Sequence, residues 1–264
     1  MSPVFPVILS TVALRNHSLR DAIDAAAVLG FDQLEIWERH LFETPTDEWT
    51  GIKMLLAEKQ MAAPVVSPFL SFTRGPERLA ASLEAAHRAA AIADQLGSTR
   101  FRIFTDVGPD GLSSADATAA DWQVATHEIA ALCHRYPQFL FAVETHPHTL
   151  ADTVESIDRL LHEVAASNFK IIFQPISIFM ETGLLAVAEK FWSSIAHMHW
   201  HQLTAENQST FIHQPGRVDF PALTRFMREK HYAGTVTAEY CWRDVDLEQI
   251  RTDRAFLKEL FSAE

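Results

Sequence analysis

The chain has 264 residues, 48% of them hydrophobic, and a formal net charge of -12. That is enough apolar material for one large α/β core. The acidic balance, with no Lys/Arg-rich run, argues against nucleic acid and against an anionic membrane surface as partners. Cys133 and Cys241 lie far apart with no metal-type or redox spacing, no apolar stretch approaches a membrane span, and the N-terminal apolar run lacks a basic leader, so a cytoplasmic protein is expected.

In chain order, residues 4–9 are apolar and β-rich and read as a first strand. Ser18 with Asp21 resembles a helix cap, and the helix that follows closes at Gly30. Residues 33–38, QLEIWE, form a second strand, and a helix is expected over 46–60. A third strand at 62–69 leads to a long Ala-rich helix over 76–96, closed by Gly97. The fourth strand is TRFRIFT, 99–105, followed by a helix over 115–136. The run FLFAVETHPHT carries a fifth strand at 139–144, an apolar stretch typical of a strand buried on both faces, and a helix at 150–165. FKIIFQ, 169–174, precedes a helix over 184–191, and IAHMHWH, 195–201, precedes a loop over 202–218. A helix at 220–230, a strand at 234–240 and a helix at 247–261 complete the chain.

Eight β-then-α units at a spacing of about 33 residues, without linker or low-complexity segment, imply a parallel sheet. Eight such units favour a closed (β/α)8 barrel, one α/β domain over residues 1–264, rather than an open doubly wound sheet. No G-x-G-x-x-G follows the first strand, which removes the main support for a dinucleotide fold.

In such a barrel the C-terminal strand ends face the active site. They carry Glu35, Trp37, Arg102, Glu144, His146, Gln174, His197, His199, His201, Glu239 and Cys241. Alternation sends His197, His199 and His201 to one side of their strand, and Met198 and Trp200 to the other. Buried imidazoles need partners, and Glu144 and Glu239 stand nearby in the strand order. Carboxylates and imidazoles together suit Mn2+, Mg2+, Zn2+ or Co2+. Glu35 reads either as a buried ion pair with Arg102 or as a substrate contact, and Trp37 as a pocket wall.

QLEIW, RFRIF, AVETHPHTLADT, HMHWHQL, QPGRVDF and TAEY, in this order across almost the whole chain, resemble the xylose-isomerase-like TIM-barrel superfamily of sugar phosphate isomerases and epimerases. The resemblance implies a divalent metal held by Glu144, Gln174, His199 and Glu239. It implies Glu144 and Glu239 as catalytic acid and base on opposite faces of an enediolate, and Arg217 at the far end of the substrate. Gln174 departs from the pattern, which has an aspartate there; its amide oxygen can still ligate but brings no charge. Ser177 stands where the family often has a substrate-contacting histidine.

The expectation is therefore a metal-dependent isomerase or epimerase of a keto-sugar or sugar-like polyol. Glu35, Trp37, Arg102, His146, His201 and Arg217 are its candidate substrate contacts, and a homo-oligomer is compatible with it. A dehydratase or lyase using the same site, and a non-catalytic sugar-binding or partner subunit with a degraded metal site, are the alternatives. A DNA-repair endonuclease on the same barrel is disfavoured by the charge.

Overall fold

The β-rich runs close on themselves. In the computed structural model, which describes residues 5–106, 111–242 and 244–262, eight parallel strands form a closed barrel in sequence order. They are β1 (Val7–Ser10), β2 (Gln33–Trp37), β3 (Ala62–Ser67), β4 (Arg100–Ile103), β5 (Leu140–Glu144), β6 (Phe169–Phe173), β7 (Ile195–Trp200) and β8 (Thr235–Ala238). β8 pairs with both β7 and β1, placing Thr237 opposite His199 and Ala238 opposite Leu9. The expected first strand starts at Val7, and Val4 lies outside the described residues.

Around the barrel run α1 (Leu19–Val28), α2 (Glu38–Glu43), α3 (Trp49–Glu58), α4 (Pro76–Leu96), α5 (Ala119–Arg135), α6 (Val154–Val164), α7 (Ser177–Thr182), α8 (Leu184–Phe191), α9 (Phe220–Glu229) and α10 (Leu247–Ser262). Outward strand residues bind this shell to the barrel. The Trp200 ring lies 4.7 Å from Phe220 on α9 and 5.4 Å from Phe261 on α10, and its burial is complete. Burying an aromatic of this size contributes about 2–3 kcal/mol through apolar area alone.

Several helices begin later than periodicity suggests, because a hydroxyl ends the preceding loop. Thr118 and Thr153 each accept the backbone N–H three residues on, and Asp121 and Ser156 reach back to close the box. The helix expected over 46–60 starts at Trp49 after a 3-10 turn at Thr46–Glu48, because Pro45 holds Thr44 extended. α2 and α7 were not expected; at six residues each they are too short to show a period. α4 matches its expected bounds and ends on Gly97 at φ 75°.

The segment 202–218, expected as plain loop, contains a small hairpin, Gln202–Leu203 against Ser209–Thr210. Its two ends are tied by one carboxamide. Gln202 donates Nε2 to the Val218 carbonyl at 3.0 Å, and its Oε1 accepts from the amides of Leu203 at 2.9 Å and Val218 at 2.8 Å. Gly216 packs directly on this side chain, where a Cβ would overlap Gln202. Among the described residues no helix is long and apolar enough to cross a membrane.

Gly216→Ala should therefore cost about 1–3 kcal/mol by forced displacement of the Gln202 carboxamide. Urea unfolding measures this, and an unchanged midpoint would contradict the packing described.

Candidate active site

The site is built in layers from the barrel interior upward. In the lowest layer, Glu35 on β2 is 0% exposed. Its Oε1 accepts from Ser67 Oγ at 2.5 Å, and its Oε2 accepts from Thr237 Oγ1 at 2.9 Å. His197 Nε2 lies 3.1 Å and His199 Nε2 3.0 Å from the same Oε2. Burial alone would push the Glu35 carboxyl up, but His199 and His197 outweigh it and hold the carboxyl well below the usual range. His197 turns its other nitrogen to Thr235 Oγ1 at 2.6 Å, and burial lowers its pKa.

Above this lies Arg102 on β4. Its Nη2 donates to Glu239 Oε1 at 3.2 Å, and its Nε lies 2.5 Å from Glu144 Oε2 and 3.7 Å from Glu35 Oε1. The guanidinium packs against the rings of Phe69 and Phe104, 4.9 and 4.4 Å from their centroids, the two rings meeting edge-to-face. Burial opposes its charge, and the carboxylates of Glu144, Glu239 and Glu35 more than offset that.

Beside Arg102, one oxygen or nitrogen from each of Glu144, His199 and Glu239 converge within 4.8 Å of one another. His199 Nδ1 is 3.2 Å from Glu239 Oε2 and 3.6 Å from Glu144 Oε2. Burial lowers the affinity of His199 for its proton, but Glu239, Glu35 and Glu144 together raise it well above the usual range. Burial likewise pushes Glu144 up, ahead of the opposing Arg102, whereas at Glu239 the pull of His199 and Arg102 overcomes burial and keeps the carboxyl ionised.

This trio fits a divalent cation. Glu144 Oε2 and His199 Nδ1 are both buried and make no hydrogen bond, though Arg102 Nε and Glu239 Oε2 face them as charge partners, so both keep acceptor capacity that a cation would use. A set of two carboxylates and one imidazole suits Mn2+, Mg2+, Zn2+ and Co2+. Glu35, His197 and His199 also cluster closely enough to hold an ion, but their facing atoms are already hydrogen-bonded to one another and to Thr235, Thr237 and Ser67. Gln174 reaches the trio through its nitrogen: Nε2 donates to Glu144 Oε1 at 3.0 Å and to the Thr145 carbonyl at 2.5 Å. Both partners are acceptors, so the amide orientation is fixed by chemistry, and Gln174 holds Glu144 in place.

Through Glu144 and Glu239 the trio borders a cavity of about 340 Å³ at the C-terminal end of the barrel. Arg102, Glu144, His146, Gln174, His201 and Glu239 line it, as do Phe69, Phe104, Asp106, Ser177, Asn207, Ser209 and Cys241. His146 Nδ1 lies 2.6 Å from the Pro147 carbonyl and must donate to it, which leaves Nε2 as an acceptor. Burial lowers the His201 pKa to about 4, so this ring is neutral at pH 7.

Three expected substrate contacts stand elsewhere. Glu35 lies beneath the cavity, under His199. Trp37 packs between Arg15 and Arg39 against His40, outside the cavity lining. Arg217 does not line the cavity; its side chain is hydrogen-bonded to Asn207 and its amide to the Leu203 carbonyl, both lining residues. Asp253 on α10 was not singled out from sequence. It accepts from the Ile212 and His213 amides at 2.8 and 2.7 Å, from His213 Nδ1 at 2.5 Å and from Tyr240 Oη at 2.7 Å, pinning the 202–218 segment over the cavity. Its signal was a lone carboxylate on the buried stripe of α10, three residues after Ile250 and four before Leu257. Asp106, just past β4, gathers Ser71 Oγ at 2.6 Å, Thr73 Oγ1 at 2.9 Å and the Leu112 amide at 3.2 Å.

Comparisons with known proteins accord with the barrel fold. The family model described as Xylose isomerase-like TIM barrel matches residues 23–260. A 3-dehydroshikimate dehydratase of Bacillus anthracis is 28% identical over 210 residues, 75% of this chain and 71% of that protein. A crystal structure of a xylose isomerase-like TIM barrel protein from Mycobacterium smegmatis in complex with magnesium superposes with a TM-score of 0.77 at 15% identity, covering 98% of this chain and 97% of that one. The structure of an L-ribulose 3-epimerase gives a TM-score of 0.80 at 15% identity over 97% and 94% of the two chains.

Replacing Arg102 with Ala leaves three buried carboxylates without their common counter-charge, a loss of about 3–5 kcal/mol. Urea unfolding should show it, and a change below about 1 kcal/mol would contradict the account. The His201 imidazole should titrate near pH 4 by NMR in the metal-free protein. Its unfolded-state pKa is about 6.5. The unfolded chain therefore takes up that proton first, and this group's contribution to stability is lost as pH falls below about 6.5. A His201 midpoint near 6.5 would contradict its burial.

Proposed function

We propose that this chain, which belongs to the xylose isomerase-like TIM barrel family, is a divalent-metal enzyme acting on a hydroxylated carbonyl compound. Its chemistry begins with removal of the proton on the carbon next to the carbonyl. The observation that carries this reading is the convergence of Glu144 and Glu239, which line the cavity, on the buried His199 beside them, with Glu144 Oε2 and His199 Nδ1 making no hydrogen bond. Glu144, His199 and Glu239 would hold the ion, which when bound supplies the positive charge that polarises a carbonyl.

The chain's own groups divide the remaining work. Glu239, whose Oε1 accepts from Arg102 Nη2, takes the proton. Glu144, clamped by Gln174, gives one back. Arg102, packed against two aromatic rings with Nη1 free of hydrogen bonds, anchors an anionic or hydroxyl oxygen of the substrate. His146 Nε2 accepts a hydroxyl proton. Leu203 and the pinned hairpin narrow the cavity and exclude water.

Two endings follow from the same first step. In dehydration, the electron pair returns through the carbon skeleton and expels the β-hydroxyl, which leaves as water with the proton from Glu144. The 28% identity to a 3-dehydroshikimate dehydratase favours this ending for a hydroxylated keto acid. In epimerisation or isomerisation of a keto-sugar, the proton returns to the opposite face or to the neighbouring carbon. The presence of both glutamates on one cavity favours that second reading.

Incubating Mn2+-loaded protein in D2O with 3-dehydroshikimate, and separately with keto-pentoses and keto-hexoses, separates the two. Loss of water from the first marks a dehydratase, and solvent deuterium on a sugar carbon marks an epimerase or isomerase. No turnover of any of them would turn the reading toward a non-catalytic sugar-binding or partner subunit. Glu239→Gln should lower whichever rate is found by about 100-fold or more, and retained activity would remove Glu239 from its role.

A further inference from the structure

Three carboxylates and one guanidinium share the buried centre of the barrel, yet only Glu144 and Glu239 among the carboxylates reach the cavity. Glu35 does not. It sits behind His199, 0% exposed, with four donors on its two oxygens: Ser67 Oγ on Oε1, and Thr237 Oγ1, His197 Nε2 and His199 Nε2 on Oε2. An oxygen pair so enclosed by donors favours the ionised form. With Nε2 given to Glu35, His199 has only Nδ1 to present to Glu144 and Glu239, and Nδ1 is the atom left without a hydrogen bond. A carboxylate behind an imidazole fixes its tautomer, stops its rotation and makes its front nitrogen a better ligand.

Charge points the same way. Gln174 beside Glu144 is neutral. Glu144 and Glu239 against Arg102 leave less negative charge than a divalent ion needs. With Glu35 counted, three carboxylates against one guanidinium leave the two charges that such an ion neutralises.

We propose that Glu35 is a positioning residue of the metal centre. It holds His199 with Nδ1 toward Glu144 and Glu239, and it supplies from beneath the floor the negative charge that the neutral Gln174 does not bring. This rests on the reading of Glu144, His199 and Glu239 as the metal-binding trio.

The test is Mn2+ affinity by titration calorimetry on the full chain, for wild type, Glu35→Gln and Glu35→Gln/Gln174→Asp, with the His199 tautomer read by 15N NMR on Zn2+-loaded wild type. The expected results are a 10- to 100-fold weaker affinity for Glu35→Gln, partial recovery in the double variant, and His199 protonated on Nε2 alone. Affinity of Glu35→Gln within twofold of wild type would overturn the proposal. So would a Zn2+-loaded His199 protonated on Nδ1, a readout taken on wild type that holds even if the variant does not fold. Further loss rather than recovery in the double variant would overturn the charge assignment. Failure of wild type itself to bind Mn2+ or Zn2+ would overturn the trio, and this inference with it.

Discussion

The structure depends on one buried cation. Arg102 lies among Glu35, Glu144 and Glu239, and each of those carboxylates lies where its neighbours alone would repel it. At about 4 Å and an effective dielectric constant near 20, a like-charge pair costs about 4 kcal/mol, more than a single strand end readily tolerates. Arg102 reverses that sign. Its position follows from the barrel: β4 pairs with β5 so that Arg102 stands opposite the small Ala142, two residues before Glu144. Phe69 and Phe104 pack against the guanidinium, whose planar fork lets one side chain face three partners at once.

The period of a strand then distributes roles by height. On β7 and the residue after it, His197, His199 and His201 point inward at successive levels, and each meets different chemistry. His197 is closed off by Thr235 and Glu35, His199 joins Glu35 below to the two glutamates above, and His201 faces the cavity in neutral form. The same alternation sends Met198 and Trp200 outward, where Trp200 anchors α9 and α10. Stability of the shell and orientation of the site are thus written on alternate residues of one strand.

What the sequence made legible follows from which signals survive without coordinates. The apolar runs at FLFAV and FKIIF are strands because a barrel buries both faces, and that pattern is visible in one dimension. The histidine alternation in HMHWH also survives, and the structure places all three rings inward. Helix starts were misjudged where Thr118 and Thr153 cap, because a periodic stripe says nothing about where a hydroxyl stops the loop. The part of Glu35 was left between an ion pair and a substrate contact. Deciding it requires knowing that Ser67, Thr237 and two imidazoles surround it, and those residues come from three other strands. Trp37 and Arg217 sit at strand-end and loop positions that face the cavity in outline, but their side chains are taken up by Arg15, Arg39 and Asn207. The family resemblance implies Gln174 as an oxygen ligand to a metal; in the structure its nitrogen meets Glu144 and Thr145.

The central claim is that Glu144, His199 and Glu239 hold a divalent ion although the neighbouring Gln174 adds no charge. Metal content of the untagged protein as purified, by inductively coupled plasma mass spectrometry beside a Glu144→Ala control, tests it most directly. Near-stoichiometric Mn, Mg, Zn or Co in the wild type, lost in the control, is the predicted result. Metal absent from both proteins after soaking in each ion, or equally present in both, would contradict it.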